Sequence, residues 1–518
     1  MRSSISSTSI FPIAAVRGVS MGAEPMRHVL AIDEGTTSTR CLVISAAGEI
    51  VGRGAREISQ HFPKPGWVEH DAAEVFDRTV EAAREAIAAS GVTPDTIGIT
   101  NQRETIVVWD RRSGEPLSPA IVWQDRRTAE RCRELSTEAP WITERTGLPV
   151  DPYFSATKLE VLLADADVAR VVERGDALAG TIDSWLIWKL TKGAVHATDP
   201  TNASRTLLFD IDSRSWSGEL CSIFSVPRSI LPEVRRSSGD FGVASADFVG
   251  TEIPIRGVAG DQQAALFGQG CFEAGQGKNT YGTGAFLLLN TGQKRPSPGS
   301  GILATVACDA AGGYAYALEG SIFIAGAAIQ WMRDGIGLIE AAAESEGLAR
   351  SVESNDGVYF VPALAGLGAP HWEPEARGMI TGLTRGSSRA HLVRAALESM
   401  AYGTRDVLLA MRDLSGVPFA SLRVDGGASV NDWLMQFQAD VVGVPVERPE
   451  IVETTALGAA GLAGIASGVW RDSEEFRSVP RYATFKPDIS AGERAKLVRG
   501  WNRAVGAALH WARTPENS

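Results

Sequence analysis

The sequence has no excess of positive charge, and this absence argues against a nucleic-acid partner. Its 518 residues include 50 lysines and arginines against 62 aspartates and glutamates, which gives a net charge of −12 at pH 7. Proteins that bind nucleic acid use a basic surface to neutralise phosphates. The acidic balance still allows a single phosphate ligand, because a local group of backbone N–H donors can hold one against the overall charge.

Cysteine is scarce, and the chain has no long hydrophobic run. The five cysteines are scattered and none form a C-x-x-C pair, so we expect neither a zinc site nor a disulfide framework, and a reducing cytoplasm is the natural compartment. No apolar run reaches the roughly 18 residues that a membrane span needs. The alanine- and glycine-rich stretch 456–468 predicts a tightly packed, buried helix instead. The cysteines are Cys41, Cys132, Cys221, Cys271 and Cys308.

A chain of 518 residues is too long for one core and predicts at least two large domains. The first 26 residues differ from the rest, because they are rich in serine, hold one acidic residue, Glu24, and contain Met21 and Met26. An export or transit signal is disfavoured, since Pro12 interrupts its short apolar part. We predict a disordered tail or a misassigned start for residues 1–26.

The most informative stretch is Asp-Glu-Gly-Thr-Thr-Ser-Thr-Arg at 33–40, between short apolar runs at 28–32 and 41–44. This pattern predicts a β-hairpin from a buried sheet. Its turn presents a carboxylate, backbone N–H groups, four hydroxyls and a guanidinium, a set that suits a nucleotide phosphate and its metal ion. An ordinary hairpin turn explains the octet equally well.

The rest of the chain predicts two related α/β domains that face each other across a ligand cleft, since strand–glycine turns recur near residues 33, 283 and 425. In the first half we expect a third strand at 51–59, a loop at 60–70, a helix at 71–91 that starts with a capping box of Asp71 and Glu74, and strands at 97–100 and 105–109. In the second half we expect a strand–turn–strand at 278–289, a strand at 313–318, a helix at 323–333, an amphipathic helix at 391–412, a strand at 421–424 and a helix from 431.

Two constellations suit proton transfer and polyol binding. Asp261 follows a short apolar strand that ends in glycine, where it is placed to act as a general base for a hydroxyl. The residues alone slightly favour a cap of the following helix, and both roles can coexist. Arg103 and Glu104 lie between two strands, where the Arg103 guanidinium would donate to a small polyol and the Glu104 carboxylate would accept from it. Their alternative is a solvated hairpin tip with a surface ion pair.

Other residues near the turns carry weaker signals. Thr283 lies between two glycines that permit a phosphate to approach, although a tight β-turn explains them as well. Gly427, with Asn431 after it, suits either an adenosine lying against the backbone or a capped strand-to-helix turn. Trp123 and Phe286 belong either to the core or to a wall against the carbons of a polyol.

Together these motifs resemble the FGGY carbohydrate kinases, of the actin-like, ribonuclease-H-like ATPase superfamily, from about Val29 to Trp511. The similarity is greatest to the members that phosphorylate glycerol. It is carried by the segments 33–40, 63–71, 98–105, 120–127, 201–206, 260–268, 279–284 and 424–428. The resemblance implies an α/β fold of two ribonuclease-H-like domains, at 27–270 and 271–518, whose mixed sheets are flanked by helices and whose active site lies in the cleft between them.

The resemblance also implies transfer of phosphate from ATP to glycerol, giving sn-glycerol 3-phosphate, with magnesium. Asp261 would be the general base and would share the metal site with Asp33. The ATP phosphates would contact Thr36, Thr37, Ser38 and Arg40. Glycerol would contact Arg103, Glu104, Tyr153, Asp261 and Gln262, with Trp123 and Phe286 against its carbons. The second domain would hold the nucleotide through Thr283, Gly326, Gln330, Gly427 and Asn431.

The chain departs from the family pattern at a few positions. Ala156 and Val161 stand where the family has glycine and tryptophan, and we expect repacking there without loss of activity. Relatives that fructose 1,6-bisphosphate inhibits carry cations where this chain has Asp247 and Glu252, so we expect weak or absent inhibition. The resemblance further implies a homodimer or homotetramer. Two alternatives remain: a kinase for xylulose, gluconate or erythritol, and an inactive ATP-binding regulator.

Overall fold

Two mixed β-sheets organise the structure, a computed structural model that describes residues 27–451 and 453–514. The predicted disordered or misassigned start at 1–26 lies outside these residues. In the first sheet a three-stranded antiparallel meander is extended by two parallel strands and one short edge strand. In spatial order the strands are Val243–Ala244, Ile253–Gly260, Thr96–Asn101, His28–Glu34, Ser38–Ser45 and Ile50–Glu57.

The second sheet repeats this plan, with a meander followed by parallel strands. Its strands, in spatial order, are Leu303–Cys308, Tyr314–Ile322, Ala285–Gly292, Gln276–Tyr281, Ser421–Gly426, Val446–Pro449 and Tyr482–Phe485. The shared plan bears out the predicted relation between the two halves. The predicted strand at 105–109 is observed as Ile106–Asp110, but it joins a separate four-stranded sheet with Glu69–His70, Ala120–Ile121 and Ala177–Thr181.

Helices cover both sheets, and short strand pairs complete the fold. The α-helices are Ala72–Ser90, Ala129–Glu134, Ala139–Thr146, Ser155–Leu163, Ala166–Glu173, Ile182–Leu190, Pro200–Ala203, Gly218–Ile223, Ala246–Val249, Asp261–Gly268, Gly326–Gln330, Glu344–Arg350, Arg389–Ser415, Asp432–Val442, Thr454–Ser467, Ser473–Arg477 and Ala491–Arg513. The 3₁₀ turns are Arg228–Ile230 and Gly427–Val430. The strand pairs are Ala197–Thr198 with Glu233–Val234, Phe209–Asp210 with Ser215–Trp216, and Tyr359–Val361 with Met379–Thr381.

Two predicted helix details are wrong. Asp71 caps the helix Ala72–Ser90 by accepting from the backbone N–H groups of Ala73 and Glu74, but Glu74 does not complete a capping box. Its carboxylate accepts from the Ser59 hydroxyl at 2.9 Å instead. The helix predicted at 323–333 begins only at Gly326 and continues from Trp331 to Gly335 as a wider π turn.

The helices Thr454–Ser467 and Asp261–Gly268 pack closely together, and the first of them is rich in glycine. Thr454–Ser467, which confirms the buried helix predicted at 456–468, packs on the first sheet and on Asp261–Gly268. A Cβ atom at Gly458 would overlap the carbonyl of Ala264, so only glycine permits this approach. A helix from the second half of the chain thus packs on the sheet of the first half. The domain boundary predicted near residue 270 stays a prediction. Within 27–451 and 453–514, no helix combines the length and the apolar character that crossing a bilayer requires.

Candidate active site

A cavity of about 730 Å³ is lined by residues from both halves of the chain. The first half contributes Trp123 and Tyr153, and the second contributes Thr283, Phe286 and Glu319. Of the site residues predicted from the sequence, Trp123, Tyr153, Thr283 and Phe286 therefore meet at one cavity. This is the position that the predicted cleft between two α/β domains requires.

Arg103 and Glu104 follow the strand Thr96–Asn101, and both side chains are buried. The Arg103 guanidinium makes a bidentate pair with Glu319, with Nη1 to Oε2 at 2.6 Å and Nη2 to Oε1 at 3.0 Å. The alternative of a solvated hairpin tip is therefore wrong. A buried guanidinium needs carboxylate partners, and Glu319 supplies them from the second sheet.

Arg205 completes this buried cluster of charges. Its side chain is fully buried, and it donates from Nε to Glu104 Oε1 at 2.7 Å and from Nη2 to Glu319 Oε1 at 3.2 Å. Although burial opposes ionisation of Glu319, the charges of Arg103 and Arg205 hold the pKa of its carboxyl down, at about 2. Glu319 is therefore a carboxylate at any pH near neutral.

Asp261 is the first residue of the helix Asp261–Gly268, and Gly260 occupies the N-cap position. Its carboxylate lies 3.0 Å from Arg103 Nε and accepts from the Gln262 backbone N–H at 2.7 Å. Because no side-chain cap bond forms at this helix start, the capping alternative is wrong. The side chain is one-third exposed, which leaves an oxygen accessible to a hydroxyl.

Gln262 and Lys278 form the neighbouring polar contacts. Gln262 Nε2 donates to Asp261 Oδ2 at 3.3 Å, and its Oε1 accepts from Lys278 Nζ. Lys278 also donates to Thr280 Oγ1 at 2.8 Å. Burial lowers the pKa of Lys278, against the attraction of surrounding carboxylates.

Aromatic side chains form one wall of the cavity. The rings of Trp123 and Tyr153 meet edge to face at 5.5 Å, and Phe286 lines the cavity from the strand Ala285–Gly292. Trp123 Nε1 donates to Thr36 Oγ1 at 2.9 Å, so this wall contacts the turn of the predicted phosphate hairpin. Burial raises the pKa of Tyr153, whose phenol stays protonated.

The hairpin turn from Asp33 to Arg40 carries the predicted metal residue. Asp33 is half-buried and accepts no side-chain hydrogen bond from the residues that the structure describes. Burial raises the pKa of Asp33 to about 6; the charge of Arg40 opposes this shift and that of Asp261 adds to it. A carboxylate without side-chain donors, with a second carboxylate whose charge acts on it, fits a magnesium ion, which needs one or two carboxylates besides phosphates and water. In the described part of the chain, no cluster of three or more metal-ligating side chains exists.

The turns predicted to hold the nucleotide lie outside the lining of the cavity, apart from Thr283. The Thr283 carbonyl accepts from the N–H groups of Ala325 and Ala327. Gly326 packs closely on Gly282, because a Cβ atom added at Gly326 would lie 2.6 Å from the Gly282 carbonyl oxygen. Gly427 and Gln330 are exposed, and Asn431 caps the helix Asp432–Val442. Among the described residues, no hydrogen bond joins the turn at 33–40 to these turns.

Residues 28–268 match the N-terminal domain of the FGGY family of carbohydrate kinases, and residues 277–467 match its C-terminal domain. The chain belongs to the FGGY family of carbohydrate kinases. Curated relatives of this FGGY kinase include glycerol kinase 2 of Thermotoga maritima, 52% identical over 493 residues, and the glycerol kinase of Dechloromonas aromatica, 53% identical over 493 residues. The alignments cover 94% of this chain and 99% and 98% of those proteins.

Solved structures of carbohydrate kinases superpose on this chain, in agreement with the family assignment. Plasmodium falciparum glycerol kinase with ADP is 37% identical and superposes with a TM-score of 0.89, covering 93% of this chain and 98% of that one. Xylulose kinase from Rhodospirillum rubrum, 24% identical, superposes with a TM-score of 0.84 and covers 94% of this chain and 100% of its own. The second likeness concerns the fold alone. The predicted fold class is confirmed.

Sequence reasoning missed several residues of this FGGY kinase site, namely Arg205, Gln263, Lys278 and Glu319. Arg205 lies in the motif at 201–206, to which no role was given, and Gln263 accepts from Arg103 Nη1 at 3.3 Å. A signal for Glu319 was present, because a lone carboxylate interrupts an otherwise apolar strand, Tyr314–Ile322. A charge in that place needs a buried partner.

The two departures from the family pattern fall on the helix Ser155–Leu163. Ala156 is fully buried and donates its N–H to the Thr206 carbonyl at 2.8 Å, whereas Val161 is 41% exposed. Because Val161 is exposed, valine in place of the family's tryptophan removes contacts with solvent more than contacts with the core. The expectation that activity tolerates both departures stays a prediction.

Proposed function

We propose that this chain transfers the γ-phosphoryl group of ATP to a terminal hydroxyl of glycerol, giving sn-glycerol 3-phosphate and ADP. The buried group of Arg103, Glu104 and Asp261, beside a cavity with an aromatic wall, carries the proposal. A guanidinium and two carboxylates suit the hydroxyls of a small polyol, while Trp123 and Phe286 suit its carbons. The glycerol kinase relatives at 52% and 53% identity support the same activity.

Asp261 acts as the general base in this reaction. The attacking hydroxyl oxygen forms a bond to the γ-phosphorus, the bond from that phosphorus to the bridging oxygen of ADP breaks, and the hydroxyl proton passes to Asp261. Such transfers have a loose transition state, so positioning and charge stabilisation dominate. Arg103 Nε, 3.0 Å from Asp261, holds this carboxylate in place.

The hydroxyl turn from Asp33 to Arg40 binds the ATP phosphates in this proposal, through Thr36, Thr37, Ser38 and Arg40. Asp33, with Asp261 as its neighbour, would hold a magnesium ion. When bound, that ion neutralises charge on the phosphates. The pKa of Asp33, raised by burial and by Asp261, supports a cation at this position.

The nucleotide is held from the other side by Thr283, Gly326, Gln330, Gly427 and Asn431. Open space around Gly427 supports this assignment, because no atom lies within 4 Å of a Cβ atom there. Because ATP would contact turns from both halves, closure of the two halves on ATP during the reaction is part of this proposal. The division at residue 270 into polyol-binding and nucleotide-binding domains belongs to this proposal.

A panel of acceptors in an ADP-release assay tests the proposal. Purified protein is supplied with magnesium, ATP and glycerol, xylulose, gluconate or erythritol, and glycerol is expected to give the highest kcat/KM. A clear preference for another acceptor would make the chain an FGGY kinase for that sugar or polyol. An absence of ADP release with every acceptor would favour the inactive regulator, although the presence of both Asp33 and Asp261 argues against it.

Weak or absent inhibition by fructose 1,6-bisphosphate remains part of the proposal. Asp247 and Glu252 are exposed, and the cations that contact this segment are engaged. Lys192 pairs with Asp247, and Arg84 donates to the carbonyls of Asp247 and Phe248 at 2.8 Å. An anion would have to displace these contacts. Strong inhibition by the bisphosphate in the same assay would contradict this part.

The remaining proposals concern assembly and compartment. We propose a homodimer or homotetramer, which light scattering of the purified protein would test. The five cysteines are all buried and free, and such thiols suit a reducing cytoplasm. Fractionation of cells that produce the full chain would test the compartment.

A further inference from the structure

Glu319 lines the cavity and connects the second sheet to two arginines of the first half. It lies on the strand Tyr314–Ile322 of the second sheet, where it is 3% exposed and opposite Leu288 and Leu303 on the neighbouring strands. Its two oxygens accept from Arg103 and Arg205, which both precede residue 268 and belong to the N-terminal FGGY match. No other carboxylate described in the structure contacts both guanidiniums while lying on the second sheet.

The contacts of Glu319 fix the direction in which each guanidinium points. Both terminal nitrogens of Arg103 are occupied by Glu319, so its Nε faces Asp261 at 3.0 Å. Arg205 uses Nη2 for Glu319 and Nε for Glu104 Oε1. The second oxygen of Glu104 accepts no hydrogen bond from the described residues, which leaves it for a ligand hydroxyl.

Two like-charged guanidiniums would repel each other without this carboxylate. Burial and the charge of Arg103 act to lower the pKa of Arg205, but the nearby negative charges, among them Glu319 and Glu104, outweigh both and raise it. In a buried setting, removal of one partner leaves the other charges uncompensated. Loss of Glu319 would therefore turn or displace both guanidiniums, and with them Arg103 and Glu104, the side chains proposed to bind the acceptor.

We propose that Glu319 is a positioning residue for the acceptor site: from the second sheet it holds Arg103 directly, and Glu104 through Arg205, in the arrangement that binds the polyol. The inference rests on the proposed function. Because Glu319 belongs to the second sheet and the arginines to the first half, the same contacts tie acceptor binding to the placement of the two halves. Glu319 acts through the arginines and itself transfers no proton.

The substitution Glu319→Gln tests this role, because it removes the charge and keeps the shape. We expect the KM for glycerol to rise roughly tenfold to hundredfold, which is the loss typical of hydrogen bonds to charged groups. The KM for ATP should change by less than about twofold, since the nucleotide turns do not contact Glu319. Arg205→Lys, which keeps the charge but lacks the planar fork that reaches Glu104 from Nε and Glu319 from Nη2, should shift the same constant in the same direction.

A matched control is Glu398→Gln. Glu398 is another buried carboxylate of the second half, paired with Arg394 at 2.9 Å and with Asn355, and it lies away from the cavity. Its loss should lower the thermal unfolding midpoint without moving the KM for glycerol. A shift of the glycerol KM in this control as large as that of Glu319→Gln would reduce Glu319 to a structural role and overturn the proposal.

A double-mutant cycle separates positioning from general stability. Because Glu319 acts partly through Arg103, the substitution Glu319→Gln should raise the glycerol KM of an Arg103→Ala variant by a smaller factor than it raises that of the wild type. Additive losses, or an unchanged glycerol KM in Glu319→Gln, would overturn the proposal. Should the wild-type protein prefer another acceptor, the proposed function fails by itself, and the same cycle measured with that acceptor still decides the role of Glu319.

Discussion

Trp123 Nε1 donates a hydrogen bond to Thr36 Oγ1 at 2.9 Å, which joins the wall of the acceptor cavity to the hydroxyl turn of the hairpin. The backbone N–H of Trp123 also donates to Thr105 Oγ1, whose own proton goes to Gln102 Oε1 at 2.7 Å. Gln102 Nε2 in turn donates to the Gly35 carbonyl at 3.1 Å. The acceptor wall and the phosphate turn therefore form one hydrogen-bonded unit.

The substitution Trp123→Phe should impair both substrates together. It keeps a ring against the acceptor but removes the donor to Thr36, so we expect the KM values for glycerol and for ATP to rise, each by roughly threefold to tenfold. Steady-state kinetics with each substrate varied measures this. Trp185→Phe is the control, because it removes a similar bond, to the Ala72 carbonyl at 2.7 Å, in the core. A rise for glycerol alone would mean that the indole serves only as a wall.

The substitution Asp261→Asn should lower kcat by about a hundredfold or more, because the amide cannot take the hydroxyl proton. The thermal unfolding midpoint should change little, since Gly260 and not Asp261 occupies the N-cap position and the side chain is 34% exposed. Asp71→Ala provides the contrast. Asp71 is a true N-cap of the helix Ala72–Ser90, and its loss should cost about 1 kcal/mol of stability while turnover stays near normal. Near-normal turnover of Asp261→Asn would remove its assignment as the base.

Local features of this site were predictable, whereas its long-range partners were not. The hairpin around Asp33 and Arg40, which lie opposite each other in register, follows from a few consecutive residues. The burial of Arg103 depends on Glu319, 216 positions later, and no local pattern couples the two. Sequence reasoning therefore offered a surface ion pair as the alternative, which the contact with Glu319 excludes.

The start of the helix at Asp261 shows a second limit. An aspartate before helix-forming residues is typical of an N-cap, which made capping a fair alternative. In the structure, Thr201 Oγ1 accepts from the Gly260 N–H at 2.8 Å, and Gly260 takes the extended conformation of the cap. The helix begins one residue earlier than capping by Asp261 requires, because a residue 59 positions earlier in the chain fixes the preceding backbone.

Asp183 should make stability depend on pH. It is buried on the helix Ile182–Leu190, and burial raises the pKa of its carboxyl from 3.8 to about 7, although Thr181 and Thr198 donate to it. Between these values the folded chain keeps a proton that the unfolded chain has lost. This group therefore stabilises the fold fully below the lower value, and its contribution is lost as the pH rises, by up to about 1.4 kcal/mol per pH unit.

The substitution Asp183→Asn isolates this effect, because asparagine cannot titrate. Relative to wild type, the variant should gain stability as the pH is raised from about 5 to about 8, measured as the difference in unfolding midpoint. Other titrating groups are common to both proteins and cancel in that difference. An equal difference at both pH values would show that Asp183 does not change its protonation between them.

The substitution Gly458→Ala should destabilise the close packing of the helix Thr454–Ser467 against the helix Asp261–Gly268. A methyl group there would overlap the Ala264 carbonyl and approach Gly268, and the helix Asp261–Gly268 would have to move. We expect a loss of about 1–3 kcal/mol in unfolding free energy, as for other overpacked positions. Because that helix begins at Asp261, kcat should fall as well.

Gly506→Ala is the matched control, since this glycine also lies inside a helix, Ala491–Arg513, but no atom lies within 4 Å of its Cβ position. That variant should be stabilised by roughly 0.5–1 kcal/mol with kcat unchanged. Equal effects of the two substitutions would show that helix propensity, and not the close packing of the two helices, governs position 458.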